Sequence, residues 1–177
     1  MRDSRGGRGT VRPIRLLGDP VLRTPTDPVT MFDDALRRLV EDMFASMYAA
    51  EGVGLAANQI GVSLSVFVYD CPDATQRRRV GVLVNPRVVA TAGDLDDDFE
   101  GCLSVPGLHY ENPRPSYAEA EGFDETGAPV RLAGDGQFAR CLQHETDHLQ
   151  GVVFLDRLRG RTKRRAMRDV LAADWSR

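Results

Sequence analysis

His144 and His148 stand four positions apart in His144-Glu145-Thr146-Asp147-His148. On an α-helix this spacing stacks two imidazoles on one face, with Cβ atoms roughly 5–6 Å apart, a bite suited to one metal ion. Glu145 follows the first imidazole, where its carboxylate can take a proton from a water held by that ion. This division of labour is the chemistry of a metallohydrolase. The competing explanation is a helix that carries two histidines by chance, but the chain has three histidines and two of them fall in this window. His109, the third, lies in a proline-containing loop and by itself reads as a solvated side chain.

A catalytic site of this type needs a third protein ligand and an open position for water. Cys71, Cys102 and Cys141 are an odd, sparse set, which argues against a disulfide framework and for reduced thiols or metal ligation. Cys141 shares the helix face, yet seven residues of about 1.5 Å rise put it roughly 10 Å along the axis from His148, so it reads as a core or pocket-lining residue. Cys71 precedes Pro72 at a strand end. Cys102 follows Gly101 in Glu100-Gly101-Cys102-Leu103-Ser104, and the glycine lets the backbone approach a site closely. That favours Cys102 only slightly and leaves Cys71 open. One cysteine and two imidazoles with an open fourth position suit zinc.

The elements that must position these groups follow from periodicity. Leu36, Leu39, Val40, Met43, Phe44, Met47 and Tyr48 form the apolar stripe of an amphipathic helix that ends before Gly52, and Thr30 with Asp33 resembles its capping box. Leu64 to Tyr69, Val80 to Val84, Tyr117 to Phe123 and Pro129 to Leu132 read as strands, with Asp124-Glu125-Thr126-Gly127 as a hairpin turn. A second helix is expected from Gly136 to Leu149, stopped by Gly151, and a third from Arg161 to Trp175. The class is α+β: short antiparallel sheets packed around a central helix that carries the two histidines, with N-terminal and C-terminal helices. No internal repeat or composition break divides the chain, so residues 1–177 are expected to form one domain, with residues 1–10 a frayed tail.

Composition narrows the partners. The 42% hydrophobic and 28% charged content is that of a globular protein, and no apolar run approaches the roughly 20 residues of a membrane span. Met1 to Thr10 has arginines but no apolar stretch behind them, so a cytoplasmic location is expected. A net charge of −3 gives no general attraction to DNA. The acidic cluster from Asp94 to Glu100 and the basic run Arg157, Arg159, Arg161, Lys163, Arg164, Arg165 and Arg168 are local exceptions. The basic run is either a solvated helix face, the commoner case, or a contact for RNA phosphates.

Three stretches resemble the signature motifs of the peptide deformylases, in the same order: Gly52-Val53-Gly54-Leu55-Ala56-Ala57-Asn58-Gln59, Glu100-Gly101-Cys102-Leu103-Ser104, and Gln143-His144-Glu145-Thr146-Asp147-His148-Leu149. The resemblance implies that Cys102, His144 and His148 are the metal ligands and Glu145 the general acid/base. It further implies that Gln59 and the backbone N–H of Leu103 form an oxyanion site. Gly52, Val53 and Gly54 would hold the substrate main chain as an added strand, and Glu100 and Arg140 would border the substrate pocket, Glu100 paired with Arg114 and the Arg140 stem packing there while its head reaches solvent. The implied activity is removal of the formyl group from N-formyl-methionyl peptides in bacterial N-terminal processing, with ferrous iron as the cofactor; Zn2+, Ni2+ or Co2+ would fit the same ligands. It also gives the basic run a purpose, since formylated chains emerge from the ribosome. Two rivals are a zinc peptidase, whose third ligand is usually a downstream carboxylate or histidine, and a silent binding module. No histidine follows His148, and the intact Glu145, Gln59 and Cys102 argue against the module.

Overall fold

A computed structural model of the protein describes residues 3–176. Helix α1 (Asp34–Ala49) buries Leu36, Leu39, Val40, Met43, Phe44 and Met47, the stripe its periodicity requires. Its cap is Asp33 rather than a box begun at Thr30: the Asp33 carboxylate accepts from the N–H groups of Ala35 and Leu36 at 3.0 and 3.1 Å. An aspartate is already a strong N-cap, so the helix starts one turn later than the Thr30 spacing predicts.

Seven strands follow: β1 (Gly54–Ala56), β2 (Val66–Pro72), β3 (Arg78–Asp96), β4 (Phe99–Cys102), β5 (Val105–Glu111), β6 (Arg114–Phe123) and β7 (Pro129–Asp135). Five form an antiparallel sheet in the order β1-β2-β3-β6-β7, and β4 and β5 pair separately. Side chains alternate between faces, which explains why β2 is buried on both. Val66, Val68, Val82 and Val84 join the α1 cluster. Phe67, Tyr69, Cys71 and Leu83 join a second cluster with Phe138, Ala139 and Leu142 of the central helix.

The α+β expectation holds, and the turn at 124–127 closes as expected, with Gly127 at φ 87° donating to the Asp124 carbonyl. Strand β3 is far longer than the expected 80–84. Register shifts between Val84 and Arg87 and twice beyond let it pass Pro86 and change partner from β2 to β6. Strands β1, β4 and β5 have no counterpart in the periodicity, because they are short or rich in glycine and proline.

Helix α2 (Gly136–Leu149) has the bounds its sequence predicts. Gly151 sits beyond its end at φ 74°, and an added Cβ would meet the Arg23 carbonyl oxygen at 2.6 Å. The C-terminal part is two helices, α3 (Phe154–Arg157) and α4 (Gly160–Ala172), which with β5 bury a third cluster around Tyr110, Phe154 and Val170. Helix α4 stops short of Trp175, which lies in a separate turn and donates its indole N–H to the Pro106 carbonyl at 3.0 Å.

The segment expected to fray is tied down from Asp3 onward. Asp3 donates its N–H to the Tyr48 hydroxyl at 2.8 Å, and the Arg5 guanidinium lies 4.4 Å from the centre of the Phe44 ring and bonds Glu125 at 2.8 Å. Met1 and Arg2 fall outside the described residues. Among those described, no helix is long and apolar enough to cross a membrane.

Candidate metal centre and its cleft

Helix α2 is buried from Phe138 to Leu149, and this places the polar side chains from His144 to His148 in the interior. His144 and His148 turn their Nε2 atoms toward each other at 3.1 Å, and Cys102 Sγ lies 3.2 Å from His148 Nε2. The three candidate ligand atoms all lie within 4.8 Å of one another, the one such cluster among the described residues. Cys102 gets there from the end of β4, where the register with β5 shifts between Gly101 and Cys102 and re-aims the side chain. Cys71 is instead buried in the second core cluster with Cys141, which closes the alternative that spacing left open.

Glu100 organises the centre. Its Oε1 accepts from His144 Nδ1 at 2.5 Å and from Arg114 at 2.7 Å. Its Oε2 accepts from Arg114, Asn112 and Arg140 at 2.7, 2.8 and 3.1 Å. Burial works against the charged form, but the bonds from His144 and Arg114 outweigh it and hold the carboxyl far below the usual range. A carboxylate on Nδ1–H leaves the Nε2 lone pair facing the centre, the arrangement that orients a metal-binding imidazole. Burial also pulls His144 down, yet its bonds to Cys102 and Glu100 raise it well above the ordinary value. Burial and the neighbouring His144 charge push His148 well below it. One thiol and two imidazoles converging on one point are a donor set that fits a divalent cation, which would satisfy all three at once.

Further support comes from residues that lie inside the three motifs but to which the sequence reading gave no role. Asn58 donates to the His148 carbonyl at 2.6 Å, and Asp147 bonds Arg114 at 3.0 Å and Arg157 at 2.6 Å. Ser104 accepts from Gln59 at 3.1 Å. All are contacts between distant segments, for which local spacing carries no signal.

The centre opens into a cleft of about 780 Å³. Glu145 lies in its wall, with Oε2 buried and without a hydrogen-bond partner among the described residues, and burial pushes its pKa up to about 7. Gln59 is buried and fixed in orientation. Its Oε1 accepts from the Ala56 N–H at 2.9 Å, which turns Nε2 toward Ser104 and, at 3.5 Å, Cys102 Sγ. Leu103 follows Cys102 in the turn and lines the cleft, and no hydrogen bond engages its N–H among the described residues.

Beside Glu145, Gly52, Val53 and Gly54 line the cleft and lead into β1, the edge strand of the large sheet. A Cβ on Gly54 would meet Glu145 Oε1 at 2.4 Å and Cys141 Sγ at 2.9 Å, so only glycine lets the strand lie this close to the carboxylate. Arg140 lines the cleft, but its head does not reach solvent. It donates to Glu100, to the Asn112 carbonyl at 2.7 Å and to the Asp96 carbonyl at 2.8 Å. His109 is a β5 residue opposite Gly101, packed where a Cβ on that glycine would be 2.2 Å away.

A family profile described as polypeptide deformylase matches residues 11–164. The chain is 58% identical over 172 residues to peptide deformylase 2 of Streptomyces avermitilis, covering 97% of this chain and 92% of that protein. It is 55% identical over 166 residues to the peptide deformylase of Acidothermus cellulolyticus, covering 94% of this chain and 89% of that protein. Among solved structures, peptide deformylase from Thermus thermophilus superposes with a TM-score of 0.83 at 43% identity, covering 92% of this chain and 94% of that one. The Synechococcus elongatus peptide deformylase in complex with actinonin gives 0.82 at 40% identity, covering 95% and 94%.

Proposed function

The chain belongs to the peptide deformylase family, and from that premise we propose how its own residues carry the reaction. It is a hydrolase that removes the N-formyl group from the N-terminal formyl-methionine of nascent polypeptides and releases formate. The observation that carries the assignment of roles is the convergence of Cys102, His144 and His148 beside a buried carboxyl that has no partner of its own.

Cys102, His144 and His148 hold the metal, which when bound supplies the Lewis acidity that lets water ionise near neutral pH. Glu145 takes up the water proton and delivers it to the leaving amine, and its elevated pKa suits it to both tasks. Gln59 Nε2 and the Leu103 N–H donate to the charge that develops on the formyl oxygen. The free edge of β1 pairs with the peptide main chain at Val53 and Gly54, and Gly52 makes room for Leu103 beside it, where a Cβ would meet the Leu103 side chain at 2.7 Å. Glu100 acts through His144 rather than on substrate, because both of its oxygens are already engaged. Arg140 holds Glu100 and the end of β3 in place beside the methionine pocket.

Ferrous iron is the proposed ion, with zinc, nickel and cobalt accepted by the same ligands, and metal analysis of protein purified without oxygen identifies it. The chain is proposed to act as one domain in the cytoplasm, where its substrate is made. Contact with ribosomal RNA through residues 157–168 fits that setting, and an absence of ribosome co-sedimentation at low salt would dismiss it.

Release of formate from formyl-Met-Ala-Ser, followed by a coupled assay, tests the reading: a peptidase would cleave the chain instead, and a silent module would do neither. Gly54→Ala tests the close wall. It should keep its metal and its folded spectrum while kcat/KM falls about 10²-fold, since the new methyl displaces the Glu145 carboxylate by the small distance to which catalysis is sensitive. Unchanged kcat/KM would show that β1 yields there.

A further inference from the structure

We propose that the groove between β5 and α4 receives the downstream residues of the formylated chain and favours acidic ones. This inference rests on the activity just described and extends it to a substrate preference. The groove has a volume of about 840 Å³, and Phe99 and His109 line both it and the metal-bearing cleft, so the two adjoin at those side chains.

Its lining is chemically lopsided. Arg161, Arg164 and Arg168 project from α4 with no ion-pair partner among the described residues, while Glu111 is the one carboxylate on the lining. Arg165 has only Asp169, at 3.6 Å. Positive charge is thus concentrated on one wall of a protein whose net charge is −3. Phe99 is 62% exposed and Met167 is 43% exposed, and both present hydrocarbon along the same groove. Unpaired guanidinium groups beside an apolar floor fit a polypeptide that carries carboxylates, whose backbone and stems lie on the hydrocarbon while the charges meet the arginines.

The test measures kcat/KM for formyl-Met-Ala-Ser alone and extended by three aspartates, three serines or three lysines. At low salt the aspartate extension should exceed the serine extension by about three- to tenfold and the lysine extension should fall below it, with the differences shrinking as salt is raised. R164E/R168E should reverse the ranking while formyl-Met-Ala-Ser, which carries none of the added charges, reports unaltered chemistry. Equal values for the three extensions in the wild type, or a ranking untouched by salt, would overturn the proposal. An unchanged ranking in R164E/R168E, even with ribosome co-sedimentation lost, would assign these arginines to RNA phosphate and overturn it as well. If that variant does not fold, the wild-type ranking and its salt dependence decide alone. Failure to hydrolyse formyl-Met-Ala-Ser would bring down the activity reading and the inference with it, whereas hydrolysis indifferent to the extension removes the inference alone.

Discussion

Glu145→Gln and Glu145→Ala are expected to bind one metal ion per chain and to lose turnover by about 10²- to 10⁴-fold, the range that positioned acid–base groups contribute. The reason is geometric. Glu145 is buried beside the centre, yet it is absent from the cluster of ligand atoms, and its Oε2 meets no donor among the described residues. Its loss therefore breaks no bond of the scaffold and leaves Cys102, His144 and His148 where they are. Glutamine preserves the volume next to Gly54 but cannot carry the proton, and alanine removes both. A common loss of kcat in the two variants, with metal content and folded spectrum unchanged, assigns proton transfer to this carboxyl. Normal turnover in Glu145→Gln would remove that role, and a loss of metal would make the residue structural instead.

The parts of this molecule that could be read in advance are those encoded over one or two helical turns. The stripe of α1, the bounds of α2 with Gly151 beyond its end, and the turn at 124–127 depend on spacing alone, and the structure reproduces them. The cap of α1 moved because Thr30 and Asp33 compete for the same duty and only the folded chain decides between them. Strands β4 and β5 escaped because Gly101, Pro106 and Gly107 interrupt any alternation, yet they deliver Cys102 to the centre. Spacing could exclude Cys141 but could not choose firmly between Cys71 and Cys102, since that choice depends on which strand end comes to lie beside His144 and His148.

The head of Arg140 illustrates the limit from another direction. An arginine one turn before His144 reads as solvated until the carbonyls of Asp96 and Asn112, more than 25 residues away, are seen to receive it. The same holds at the N-terminus, where a polar stretch is held by Phe44 and Tyr48 of α1. Polar networks between distant segments decide the site, and no local pattern carries them.

Cys102→Ala should abolish stoichiometric metal, whereas Cys71→Ala, which touches only the core, should keep it. Two imidazoles one turn apart remain in the variant, but a divalent ion left with two protein donors exchanges far more readily than one held by three. Glu100→Gln should fall between them, with affinity lowered about 10- to 100-fold, because the ligands remain while His144 loses the carboxylate that orients it. Thermal unfolding supplies a readout that does not need activity. A bound ion stabilises the native state by mass action, so chelator should lower the wild-type Tm and leave that of Cys102→Ala unmoved. Equal metal content in Cys102→Ala and the wild type, with the same response to chelator, would mean that the sulfur 3.2 Å from His148 is a neighbour of the ion's site and not part of it, and the third ligand would have to be sought elsewhere.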